Sequence, residues 1–237
     1  MMNMSSLEQV DYHDGAAALT GWLVRPAGTP RAAVLVFPTI ANVTAHIQRR
    51  AAMLADAGYL ALIADFYGDP VPDFSAARLL AGQLRADVGR YRARLAAALA
   101  ALHGKADSQR PVLAIGYCMG GQAALELARS GAAIAAAVSF HGLLDTQAPA
   151  QPGVMQARLL VCHGDADPMV PRDQVRAFQE EMDNAGGNWH LHSYSGVRHG
   201  FTDPGSDARG MAAIAYDPSA DRQSWAAMHQ FFDEVLT

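Results

Sequence analysis

Cysteine is scarce in this chain, with two among 237 residues. So few exclude a disulfide framework, and the two sit in different contexts, Cys118 in a Gly-rich turn and Cys162 inside an apolar run. Each therefore needs its own explanation. Long apolar runs are also missing, none approaching the roughly 18 residues of a membrane span. Residues 1–8 lack the basic and apolar regions of a secretory signal, so a soluble, cytoplasmic protein is expected. No sign of charge dominates either. The formal net charge is −5, and acids and bases are interspersed. That leaves no electrostatic footprint for nucleic acid or an anionic membrane. Linkers, charged blocks and fixed-period repeats are absent as well. With 51% apolar residues, one domain over residues 1–237 with one core is expected.

What is present is an alternation of strands and helices. Residues 32–37 form a continuous apolar run rich in β-branched side chains and ending at Pro38, the pattern of a strand buried on both faces. Ile47, Ala51 and Leu54 then fall at helical spacing, Gly58 stops the helix, and residues 60–64 give a second strand. The spacing predicts a helix over 84–103, a strand over 111–115, a helix over 122–129 and strands over 134–140 and 158–162. Val175, Phe178 and Met182 mark a further helix, residues 189–194 a last strand, and Trp225, Met228, Phe232 and Val235 the apolar face of a C-terminal helix. Such alternation implies an α/β fold with a mostly parallel central sheet and helices on both faces. Residues 17–24 are expected to add an antiparallel edge. In such sheets the reactive groups gather in the loops at the carboxyl ends of strands.

Three of those loops carry chemistry. Gly116-Tyr117-Cys118-Met119-Gly120-Gly121 lies between a strand and a helix and fits the G-x-nucleophile-x-G elbow, with Cys in the usual Ser position. A nucleophile on so sharp a turn needs neighbours without Cβ atoms, and the adjoining helix N-terminus favours thiolate. After the strand at 158–162, Asp167 is the candidate acid and Asp165 its rival, since turn carboxylates often bind their own backbone. Cys162 reads as core and His163 as a loop brace. Nine histidines dilute the case for any one, but His199 completes the chain order of nucleophile, acid and histidine that this elbow uses. His190 and His192 alternate on a strand without a third ligand at diagnostic spacing, so no metal site is expected. The Met119 N–H is the first candidate oxyanion donor. The loop Pro38-Thr39-Ile40-Ala41 supplies the second, Ile40 or alternatively Thr39, because Pro38 has no N–H.

These residues resemble the dienelactone hydrolases (carboxymethylenebutenolidases) of the α/β-hydrolase superfamily. The likeness rests on the Cys118 elbow, on His163-Gly164-x-x-Asp167-x-x-Val170-Pro171, on Arg198-His199-Gly200-Phe201-Thr202 and on Ala64-Asp65-Phe66-Tyr67-Gly68, and runs from about residue 15 to the C-terminus. The resemblance implies an α/β-hydrolase fold, a Cys118, Asp167 and His199 triad, an Ile40 and Met119 oxyanion hole, a small ester or lactone substrate, a thioester intermediate and no cofactor. Candidate substrate-binding residues are Thr39, Phe66, Arg78, Tyr117 and Phe201, with Tyr67 and Phe74 as further aromatics and Arg198 as a second arginine for a substrate carboxylate. The family's best-known members carry a glutamate where Thr39 stands, and that glutamate keeps the resting thiol neutral. Thr39 cannot take the thiol proton, so a standing Cys118 thiolate paired with protonated His199 is expected.

Two other readings share these residues. Acyl transfer or thioester hydrolysis would use the same three side chains. A non-catalytic redox role would explain an accessible thiolate but would leave His199 without a purpose.

Overall fold

The computed structural model describes residues 7–107 and 109–237; most of the N-terminal stretch compared with secretory signals lies outside them. By its internal contacts the chain falls into two compact units, Met1–Ala114 and Ile115–Thr237, with the boundary inside a strand. The strands are β1 (Glu8–Asp14), β2 (Ala17–Val24), β3 (Ala33–Phe37), β4 (Leu60–Ile63), β5 (Val112–Tyr117), β6 (Ala136–Phe140), β7 (Arg158–Gly164) and β8 (Trp189–Tyr194). They form one sheet in the order β1-β2-β4-β3-β5-β6-β7-β8. The helices are α1 (Ala45–Asp56), α2 (Phe74–Arg85), α3 (Val88–His103), α4 (Met119–Arg129), α5 (Arg172–Ala185) and α6 (Pro218–Val235).

In the first unit β3 and β4 pair in parallel, and every residue of both is buried, as their uninterrupted apolar sequence demands. The antiparallel part of the sheet is wider than residues 17–24 suggested. Segment β2 pairs antiparallel with β4 on one side and with β1 on the other, so β1 is the edge. Its sequence alternates, with Val10 and Tyr12 inward between outward Gln9, Asp11 and His13. Tyr12 locks β1 to the end of β4, its hydroxyl accepting from the Asp65 N–H at 2.9 Å.

The stretch expected as one helix over 84–103 is two. Asp87 has extended backbone and accepts from the Arg90 N–H at 3.0 Å, capping α3, while Asp73 caps α2 in the same way at 2.8 Å. The Asp87 carboxylate satisfies one of the first-turn N–H groups that the start of a new helix leaves without an intrahelical partner.

In the second unit β6, β7 and β8 pair in parallel. Helix α4 begins at Met119, directly after Cys118, rather than at residue 122. It is bound to α5 through a buried cluster. The Arg129 guanidinium meets Glu126 at 3.0 Å and Glu181 at 2.8 Å and donates to the Leu144 carbonyl at 2.8 Å. Glu181 in turn accepts from the Ala150 N–H. Among the described residues no helix is long and apolar enough to cross a membrane.

Candidate active site

Cys118 stands at the junction of β5 and α4 with φ +57°, in the left-handed region that L-residues enter only where the surroundings hold them. The tightness of the bend explains its glycines. A Cβ on Gly116 would collide with the Gly120 carbonyl, and one on Gly121 would lie 2.6 Å from the Ser139 hydroxyl. The residue itself is half-buried.

Asp167 is held in the turn after β7 by its own N–H, which donates to the Gly164 carbonyl. That turn is bound to the loop after β8, because the Asp165 and Ala166 N–H groups donate to the Tyr194 and Val197 carbonyls at 2.9 Å each. A Cβ on Gly164 would strike the Val197 carbonyl at 2.5 Å, so the two loops meet only because residue 164 is glycine. His199 is pinned on both sides by the 213–215 segment, donating to Ala213 and accepting from Ala215. With both loops fixed, His199 Nδ1 donates to Asp167 Oδ2 at 2.7 Å, and Asp167 Oδ1 accepts from the Met169 N–H at 2.8 Å. The rival Asp165 is engaged elsewhere, in a bidentate pair with Arg172 at 2.6 and 3.0 Å.

The other nitrogen of His199, Nε2, is buried and makes no hydrogen bond, and His199 acts on the Cys118 sulfur through its charge. Burial alone would push the Cys118 thiol up, but the charge of His199 and the Met119 N–H outweigh it and hold the thiol below its ordinary value. Burial alone would likewise pull His199 down. The Cys118 charge, with the hydrogen bond to Asp167, outweighs it and raises the imidazole above its ordinary value. The two shifts are opposite in sign, each against the pull of burial. Cys162 differs in kind. It is fully buried, and burial pushes its thiol up to about 12 despite a hydrogen bond with Tyr194.

The remaining sequence candidates fall into separate places. Phe66, Tyr117 and Phe201 are 0–1% exposed and packed in rings of their own units: Phe66 on Phe37, Tyr117 on Phe140 at 4.9 Å, Phe201 against Tyr194. Arg78 is exposed, as is Phe74, and Arg198 donates to the Ala212 carbonyl at 2.8 Å. His190 and His192 lie exposed on β8, and His163 is buried. In the first unit, residues 39–42 form a turn. The Thr39 carbonyl accepts from the Asn42 N–H at 3.0 Å and its hydroxyl accepts from the Ala41 N–H at 3.2 Å. Because C=O and N–H oppose one another across a trans peptide, the Ile40 N–H points away from the interior of that turn. Asp65, in the Ala64 to Gly68 motif, accepts from Asn42 at 2.8 Å, and Tyr67 donates to the Ile40 carbonyl at 3.1 Å.

One neighbour was missed. His141, the first residue after β6, accepts the Cys118 N–H and packs its ring against His199. The signal available in sequence was its position at a strand's carboxyl end, beside the elbow strand. Among the described residues no group of three or more His, Cys, Asp or Glu side chains is placed to hold a metal ion.

Residues 19–236 match the model of the dienelactone hydrolase family. The chain belongs to that family. A probable 2-oxo-3-(5-oxofuran-2-ylidene)propanoate lactonase of Bradyrhizobium sp is 30% identical over 93% of this chain and 91% of its own. The solved structure of m3DLH is 38% identical, with TM-score 0.91 over 98% of this chain and 99% of the other. A dienelactone hydrolase-like promiscuous phosphotriesterase, P91, from metagenomic libraries is 36% identical, with TM-score 0.89 over 97% and 98% of the two chains. Family membership makes the chain a dienelactone hydrolase-like hydrolase with an α/β-hydrolase fold.

Proposed function

We propose that the chain hydrolyses a small carboxylic ester or lactone through a Cys118, His199 and Asp167 triad and a thioester intermediate. The observation that carries this reading is the pair of opposed shifts at Cys118 and His199, with Asp167 at 2.7 Å behind the imidazole. The lactonase named among the relatives makes a small lactone the first substrate class to test.

In the first half-reaction the Cys118 thiolate attacks the carbonyl carbon. A C–S bond forms and the carbonyl π electrons move onto oxygen. The Met119 N–H, already turned toward the sulfur, is one donor for that oxyanion. The Ile40 N–H is the second donor that the family resemblance implies. Collapse re-forms the carbonyl and breaks the C–O bond, and the leaving oxygen takes the proton from His199 Nε2. In a lactone the released hydroxyl stays attached to the acyl chain. Water then attacks the thioester, giving a proton to His199, and the second collapse expels the thiolate and the carboxylic acid. The ion pair is restored without a cofactor.

Asp167 orients the imidazole and stabilises its charge without taking a proton. On this reading the thiolate stands ready before substrate arrives, since a threonine hydroxyl at position 39 cannot take the thiol proton as a carboxylate would. The buried, strongly protonated Cys162 makes a poor resolving thiol for the redox reading.

The test is turnover of p-nitrophenyl acetate and of a panel of small lactones. Cys118→Ala is expected to abolish release of product, and His199→Ala to reduce it by about a thousandfold or more. Retained turnover in Cys118→Ala contradicts the proposal.

A further inference from the structure

His141 combines three features that packing alone does not require. It is 2% exposed, it carries φ +42°, and both of its ring nitrogens are engaged. Its Nδ1 lies 3.1 Å from the Cys118 backbone N, whose N–H it shares with the Phe140 carbonyl. An amide nitrogen can only donate, so Nδ1 is the acceptor and carries no proton. The ring proton is then on Nε2 and is donated to the Thr202 hydroxyl oxygen at 2.9 Å. The imidazole is thereby fixed as neutral, in one tautomer, between the nucleophile's own amide and a residue three positions beyond His199.

The ring also touches the candidate base. Its centroid lies 5.2 Å from that of His199, edge to face, and 5.2 Å from that of Phe201. Its backbone N–H donates to the Cys162 carbonyl at 2.8 Å, tying it to β7. One side chain thus spans the β5 elbow and the loop after β8, whose alignment decides whether sulfur meets Nε2. The left-handed backbone at both Cys118 and His141 is the kind of strain that persists only where neighbouring contacts over-determine it.

We propose that His141 is a positioning residue for the thiol chemistry, an imidazole that holds the Cys118 amide and the His199 ring in register. This rests on the proposed function of the same site. A doubly protonated His141 would lose its acceptor nitrogen and set a second positive charge against His199, so neutrality is part of the role.

The experiment uses three variants of the full chain, with active sites counted by stoichiometric alkylation of Cys118. His141→Phe keeps an aromatic ring but removes acceptor and donor. His141→Asn keeps an acceptor near the Cys118 N–H and tolerates positive φ. Thr202→Val removes only the Nε2 partner. For His141→Phe, kcat per active site is expected to fall roughly ten- to hundredfold with KM within about twofold. The pH at which Cys118 becomes half-reactive toward iodoacetamide should rise, and His141→Asn should recover most of both losses. Thr202→Val should move both readouts in the same direction by less, and it keeps the test open if His141→Phe does not fold. A purely structural role would lower the number of active sites while leaving kcat per site and the alkylation profile unchanged, and that result overturns the proposal. So does His141→Asn behaving like His141→Phe. Failure of the triad itself appears separately, as turnover surviving in Cys118→Ala.

Discussion

A thiol and an imidazole that exchange a proton before substrate arrives should reveal themselves in their titration. Cys118 is held below the ordinary thiol value of 9.0 and His199 above the ordinary imidazole value of 6.5, each against the pull of burial. The sign of each shift fixes the pH window. The thiolate forms as pH rises through the lowered Cys118 value, and the imidazolium is lost as pH rises through the raised His199 value. Activity is therefore expected to be bell-shaped between them. Removing the imidazole leaves a thiol for which burial is unopposed by a counter-charge. In His199→Ala the Cys118 transition, followed by thiolate absorbance in the ultraviolet, should move up by roughly one to three pH units. A transition that stays in place would show that His199 does not stabilise the sulfur. At this scale the sequence singled out candidates where chemistry dictates residue type: a cysteine between glycines, a carboxylate in a turn and a histidine in a loop, of which the structure joins His199 and Asp167 by a hydrogen bond. It did not single out His141, because a position at a strand's carboxyl end, its one signal, does not say which amide a histidine will accept.

Among the elements, alternating apolar runs made most of the parallel core readable, since strands buried on both faces leave uninterrupted hydrophobic sequence. The break between α2 and α3 was not readable. Leu84 and Tyr91 are both buried and keep helical spacing across Asp87, so periodicity ran through a boundary that only the capping bond defines. Strand β1 escaped notice because two inward residues among seven make a weak alternating signal. The Arg129 cluster was equally invisible, its partners lying 3 and 52 residues away. It nonetheless fixes α4, the helix that begins at the elbow, to α5. Arg129→Met would leave Glu126 and Glu181 with a buried negative charge and no cation from this residue. A loss of about 3–5 kcal/mol in unfolding free energy is expected, read from urea denaturation at neutral pH. A loss below about 1 kcal/mol would mean that the cluster is solvated and contributes as little as a surface pair.

For the molecule as a whole, Cys118, Asp167 and His199 lie in turn beyond the carboxyl ends of β5, β7 and β8, strands of one sheet. An α/β pattern and four short motifs pointed to one family, whose model spans residues 19–236. Substrate recognition was less legible. It depends on side chains brought together by folding, and the aromatics named for it, Phe66, Tyr117 and Phe201, are fully packed. The central claim is a covalent one, that the acyl group passes through Cys118. It is tested most directly by mixing the protein with p-nitrophenyl acetate, quenching in acid within the first turnover and mapping the added acetyl group by peptide mass spectrometry. The account predicts one acetyl group on the peptide carrying Cys118, absent from Cys118→Ala and lost on incubation of the unquenched wild type as the thioester hydrolyses. Burst release of p-nitrophenol with the acetyl group on another residue, or steady turnover with no acylated Cys118 at any quench time, would contradict it.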